Sequence, residues 1–135
     1  EINYFSLDNR FTAQLQHFVI FDYLVNNTDR KGGHLLLDAT GKLWGIDHGL
    51  TFHVAPKLRT VIWEFADQRV SDSLLEDVRQ LCAQLDTDNN ELRCKLHELL
   101  SAAEIAALMR RISHLLDHKR YPSPGPGPNH PWPPV

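Results

Sequence analysis

The chain has little cysteine, no excess of basic charge and no long apolar run, and each shortage removes a class of protein. Two cysteines, Cys82 and Cys94, in 135 residues cannot staple a disulfide scaffold. Both fall inside helical patterns; a single disulfide between them is the alternative, and a reduced, cytoplasmic chain is expected. Fourteen Lys and Arg against 17 Asp and Glu leave a net charge of −3, without the basic stripe of a nucleic-acid binder. No apolar run approaches the ~20 residues of a transmembrane helix, and no signal peptide opens the chain. What remains is ordinary globular composition, 42% hydrophobic and 23% charged, at a length that suits one domain or a large part of one. The first residue is Glu1 rather than Met, inside what reads as a structured segment. A longer protein, cut on its N-terminal side, is expected.

The apolar pattern of Phe11 to Val25, FTAQLQHFVIFDYLV, predicts a helix with Leu15, Phe18, Val19, Asp22 and Tyr23 on one face. Thr12 is its expected N-cap, and Asn26 and Asn27 end it. Thr28 to His34 form a polar loop whose two glycines permit a positive φ or the close approach of a ligand. HLLLD and KLWGID predict two strands joined by a turn with Gly41 left-handed. The run Leu35-Leu36-Leu37 predicts a hairpin covered on both faces. Residues 50–65 mix extended and helical signals, and Pro56 breaks whatever precedes it. Ser71 caps a helix with Leu74, Leu75, Val78, Leu81, Cys82 and Leu85 inward. NELRCKLHELL predicts a shorter helix. A capping box, Ser101 to Glu104, starts one that turns Ile105, Leu108, Met109, Ile112, Leu115 and Leu116 inward. Beyond Tyr121, PSPGPGPNHPWPPV predicts an extended tail, laid over the domain by Trp132. The expected fold class is α+β, mostly helical, with a small β-hairpin bearing the polar residues.

Two isolated acids frame that hairpin. An Asp in a polar loop, such as Asp29, is by default a turn former. Asp47 follows the apolar strand Leu43-Trp44-Gly45-Ile46, where an unpartnered buried carboxylate would cost roughly several kcal/mol unless a metal ion or a basic group met it. Asp29 to His34 spans 34 − 29 = 5 positions, and Asp29 to Asp47 spans 47 − 29 = 18. Protein kinases set a base Asp five positions before a metal-binding Asn, ahead of a hairpin that ends in a metal-binding Asp, an aromatic and Gly. One carboxylate holds the nucleophilic hydroxyl, the other holds Mg²⁺ on the triphosphate, and the hairpin fixes their separation.

The segments DYLVNNTDRKGGHLLL and GKLWGIDHGLTF resemble the catalytic and metal-binding loops of the phosphatidylinositol 3-/4-kinase superfamily. Asp22 to Arg30 is similar in style to the loop of the type II phosphatidylinositol 4-kinases. DRKGGH, DHG, LRTVIWEF and the Pro-Trp-Pro tail resemble an actinobacterial, hence bacterial, family of phosphatidylinositol-kinase-like proteins over almost the whole chain. The resemblance implies the C-terminal lobe of a protein-kinase-like fold over residues 1–120, with the hairpin carrying the catalytic and metal loops, and a Pro-rich C-terminal tail over 121–135. It implies Asp29 as the aspartate that orients or deprotonates the acceptor hydroxyl, and Asp47 as the ligand of Mg²⁺ on the ATP phosphates. Arg30 then anchors the loop, and Lys31 either faces a phosphate or is a solvated charge. His34 stands where the superfamily has its second metal-binding Asn. Mg²⁺ prefers oxygen ligands and imidazole suits softer ions, so either His34 reaches the metal through water, or Mn²⁺ serves, or the second site is lost. His48 replaces the usual aromatic.

The function so implied is that of an atypical ATP-dependent kinase, passing the γ-phosphoryl group to a hydroxyl on a lipid, a polyol or a protein. A kinase also needs a phosphate-covering loop and a strand Lys. No Gly-rich loop occurs here, and Lys31, Lys42 and Lys57 come too late in the chain. An upper lobe ahead of Glu1, and little activity without it, are expected. Two alternatives stand beside this reading: a pseudokinase module that holds nucleotide or metal without turnover, and metal-dependent hydrolysis by a set including His34, His48, His53 and Asp47. His97, His114 and His118 are expected on helix surfaces, and Trp63 and Phe65 in packing. The resemblance puts Arg59 and Trp63 near the site.

Overall fold

The computed structural model describes residues 2–135. Four α-helices and a two-stranded antiparallel sheet make up its regular structure: α1 (Thr12–Leu24), β1 (Leu35–Leu37), β2 (Leu43–Gly45), α2 (Asp72–Asp86), α3 (Glu91–Leu99) and α4 (Ala102–His118). This is the mostly helical α+β architecture, with a small hairpin, that the sequence predicts.

Helix α1 is apolar nearly all round and buries Leu15, Val19, Ile20 and Leu24 together with one acid, Asp22. It begins without a side-chain cap. Asp8 instead caps a 3₁₀ turn, Asn9–Phe11, that feeds straight into it, so Thr12 is the first helical residue and not the expected cap. The other end is a Schellman closure with Asn26 left-handed at φ 53°. There the Asn27 N–H donates to the Asp22 carbonyl and the Asn26 N–H to that of Tyr23. Asn tolerates this conformation better than most side chains.

The hairpin pairs Leu35 with Gly45, Leu36 with Trp44 and Leu37 with Leu43. Its turn is tied by Asp38, whose carboxylate accepts from Thr40, Lys42 and the Trp44 indole, and Gly41 sits at φ 86°. Leu35 and Leu43 are buried, but Leu36 and Trp44 are 45% and 50% exposed. The hairpin is therefore covered on one face only, contrary to the pattern of three leucines. Side chains alternate between the faces of a ribbon, and here only the face of Leu35 and Leu43 meets the core.

Helices α2, α3 and α4 form the remainder of the lobe. Side-chain caps from Ser71, Asn90 and Ser101 start them, the last with the reciprocal Glu104 bond of a capping box, each worth about 1 kcal/mol. Their inward residues, with Ile62, Phe65, Val70 and Tyr121, join α1 and the hairpin in one hydrophobic core. Cys82 and Cys94 are free thiols.

Segment 50–66 is irregular and hangs on polar contacts. Asn26 Nδ2 donates to the His53 and Ala55 carbonyls while its Oδ1 accepts from Lys57. The tail returns over the domain, but not through Trp132, which is 88% exposed. It is held by its backbone: the Asn129 carbonyl accepts from Thr60 and from the Trp63 indole, and the Pro134 carbonyl accepts from the Gly32 N–H at 2.7 Å. Prolines lack N–H groups but keep carbonyls that accept.

Candidate active site

The site is built on a buried ion pair. Arg30 and Asp22 are 0% and 1% exposed. Arg30 Nε and Nη2 each donate to one Asp22 carboxylate oxygen at 2.9 Å, the bidentate geometry that suits a guanidinium. Arg30 Nη1 reaches the carbonyls of His34 and Ile46, at 3.3 and 3.4 Å, and so ties the start of β1 to the exit of β2. Nη2 also meets His48 Nε2 at 2.8 Å. An arginine always donates, so that nitrogen accepts and the ring is neutral. Burial first, then the Arg30 charge, lower the His48 pKa from its ordinary value, with Asp22 opposing them. Asn27 completes the clamp: its Nδ2 donates to Asp22, and its Oδ1 accepts from the Asp29 N–H. Gly45 leaves room for all this. A Cβ there would lie 2.6 Å from the Phe18 ring and 3.2 Å from His48 Nε2.

On this base stand Asp29, His34 and Asp47. One ligand atom from each lies within 4.8 Å of the other two. His34 Nε2 is 3.3 Å from Asp47 Oδ2. On the far side of the ring, Nδ1 is 2.8 Å from the Asp29 carbonyl and 3.4 Å from the Lys31 N–H. The shorter contact requires a proton on Nδ1, and Nε2, on the other side of the ring, is turned toward Asp47. A histidine that binds a metal through one nitrogen donates its other N–H to a carbonyl in this way. Lys31 Nζ stands 3.9 Å from Asp29 Oδ1.

Asp47 corrects a sequence expectation. Its side chain is 64% exposed, so burial imposes no cost that a metal must relieve. Strand β2 has ended at Gly45, and Asp47 turns the chain outward with φ 60°; Phe52, five residues on, is left-handed too. Such backbone costs about 1–3 kcal/mol per residue and collects at functional sites.

Neither Gly32 nor Gly33 has positive φ. The Phe5 ring fills the space a Gly32 Cβ would need, so Gly32 is closed to a ligand, whereas a Cβ on Gly33 would meet only Val135 at 3.9 Å. His48 and His53 stay outside the metal-ligand cluster: His48 faces Arg30, and His53 Nδ1 accepts from the Ala55 N–H. Trp63 is half-buried beside Asn129, and Phe65 is core.

Sequence reasoning placed Asp22 on a helix face without seeing its partner, and it missed the role of Asn27 altogether. A lone acid in the apolar helix FVIFDYLV was the available signal, because a buried charge demands a counter-charge. Also passed over was His114-x-x-x-His118, one turn apart on α4 with rings stacked at 3.9 Å. No third ligand joins that pair among the described residues.

Residues 1–109 match the family model described as phosphatidylinositol 3- and 4-kinase. The chain is similar to Protein Rv2133c of Mycobacterium tuberculosis (strain ATCC 25618 / H37Rv), 42% identical over 120 residues. The match covers 89% of the chain but only 42% of that relative's length. No solved structure matches the chain.

Proposed function

The chain belongs to the phosphatidylinositol 3- and 4-kinase family, and from that premise we propose that it is the catalytic lobe of an ATP-dependent kinase with a hydroxyl acceptor. The observation that carries the reading is the convergence of Asp29, His34 and Asp47 within 4.8 Å, fixed from beneath by the Asp22–Arg30 clamp. The family's chemistry uses ATP and a divalent metal.

In this reading the Asp29 carboxylate orients the acceptor hydroxyl and takes its proton as the oxygen bonds to the γ-phosphorus and the bond to the β-phosphate oxygen breaks, releasing ADP. Asp47, and His34 through Nε2, would hold the metal. Bound there, it would neutralise phosphate charge. A carboxylate and an imidazole fit Mn²⁺ at least as well as Mg²⁺. Arg30 touches no substrate and positions the loop. Lys31 is a candidate phosphate contact that Asp29 keeps close. The phosphate-covering loop and its lysine are assigned to an upper lobe elsewhere in the gene product, and the acceptor to a lipid, polyol or protein hydroxyl.

His34 in the position of an Asn favours a second reading, a pseudokinase that binds nucleotide or metal without turnover. One experiment separates the two. The full gene product is given ATP with Mg²⁺ or Mn²⁺ and a pool of hydroxyl acceptors, and ADP is measured. The kinase reading expects acceptor-dependent ADP that disappears in Asp29→Ala and Asp47→Ala. Nucleotide binding with no ADP formed under either metal would establish the module instead.

A further inference from the structure

A cavity of about 700 Å³ opens between the end of α1, segment 53–58, α4 and the Pro-rich tail, a volume typical of a small-molecule site. It shares no residue with the Asp29, His34 and Asp47 cluster. Lys57, Arg110 and Arg111 line it, in a chain whose net charge is −3. No Asp or Glu lines it, and none of the three cations pairs with a carboxylate among the described residues.

Arg111 is the most telling of the three. Its Nε donates to the Leu24 carbonyl at 2.8 Å and its Nη1 to that of His53 at 3.4 Å. Its Nη2 is buried with no partner, and an unsatisfied charged donor is costly. Burial lowers the Arg111 pKa from its ordinary value; Tyr23 opposes that shift and Arg110 adds to it. The remaining wall is mainly apolar, with Trp63, Leu58, Val54 and the tail prolines, and adds polar groups from His114 and Asn129.

We propose that this cavity binds a phosphomonoester carrying an apolar or aromatic body, a ligand site separate from the catalytic cluster. A phosphate brings close to two negative charges and three acceptor oxygens, matching three unpaired cations, and Arg suits it through bidentate bonds. The body lies against Trp63 and the prolines. Arg111 bonds both to the helix leading into the Asp29 loop and to the segment leaving Asp47, so the ligand touches the residue that joins the two.

The test follows the Trp63 indole N–H resonance of the intact protein by NMR, assigned with Trp63→Phe. Phenyl phosphate is the probe, with phenol and inorganic phosphate as half-ligands. The expected result is saturable binding of phenyl phosphate, about tenfold tighter than either half. It weakens about fivefold in each of Lys57→Gln and Arg110→Gln, and further in the double variant. Lys57 and Arg110 are exposed, so these variants fold even if an Arg111 variant does not. No saturable binding, or binding unchanged in the double variant, overturns the proposal. Sedimentation with phosphatidylcholine vesicles, with and without phosphatidic acid, identifies the source. Co-sedimentation that needs phosphatidic acid, Lys57 and Arg110 makes the ligand a lipid headgroup; phenyl phosphate binding without co-sedimentation makes it a soluble ester.

Discussion

Asp22 and Asp29 lie on one short stretch, yet their surroundings are opposite. Asp22 is sealed, with both carboxylate oxygens taken by Arg30 and one shared with Asn27. Asp29 is half-open, its carboxylate near Lys31 and facing Nε2 of His34 and the acid Asp47. The contrast divides the work. The sealed acid is committed to holding the loop, and the open one is left accessible, as the proposed role of Asp29 requires.

The largest expected effect tests the sealed side. Asp22→Asn leaves the Arg30 charge uncompensated in the interior and lowers unfolding free energy by about 3–5 kcal/mol in urea melts. The double change Asp22→Leu with Arg30→Met recovers most of that stability while turnover stays low, because the hairpin ends are no longer tied. Next comes the open side. Asp29→Asn in the full gene product lowers ATP turnover by about 10²–10⁴-fold and leaves the urea midpoint nearly unmoved. Asp47→Asn shifts stability by less than about 0.5 kcal/mol, as exposed sites do, but weakens Mn²⁺ binding measured by paramagnetic broadening of the His34 ring signals. If Asp47→Asn unfolds the protein, the division between sealed and open acids is wrong.

His34→Asn sharpens the comparison further by replacing imidazole with an oxygen donor. Turnover with Mg²⁺ should rise relative to turnover with Mn²⁺. The smallest effect concerns a third acid, Asp38, which is half-buried in the hairpin turn and fully used. Bonds from the Thr40 hydroxyl, then the Trp44 indole and the Lys42 N–H, hold its pKa well below the ordinary value. A lowered carboxylate stabilises the fold above its unfolded value, about 3.9, and loses that contribution as pH falls toward the folded one. The Trp44 indole resonance should therefore stay unchanged down to pH ~4 and move only in stronger acid.

What the sequence made legible was local. Ser71 and the Ser101–Glu104 box announce α2 and α4 because a cap and its partner sit within one turn. Gly41 announces its turn for the same reason. Thr12 misled because Asp8, four residues earlier, supplies the cap to a 3₁₀ turn that no periodicity reveals. The three leucines of β1 misled because composition cannot say that only one sheet face finds a partner. Trp132 misled because a tail of prolines docks by carbonyls, which carry no sequence signal. At the site, the spacing of Asp29, His34 and Asp47 was readable along the chain. The Asp22–Arg30 pair was not, since it depends on how α1 and the loop after it come to lie together.

Gly45 carries one more consequence. Its missing Cβ is the volume into which the edge of the Phe18 ring projects, so the two positions constrain each other across evolutionary time. A relative with alanine at the first should carry a smaller side chain than phenylalanine at the second, and an alignment deep enough to detect covariation should couple the middle of the first helix to the end of the second strand.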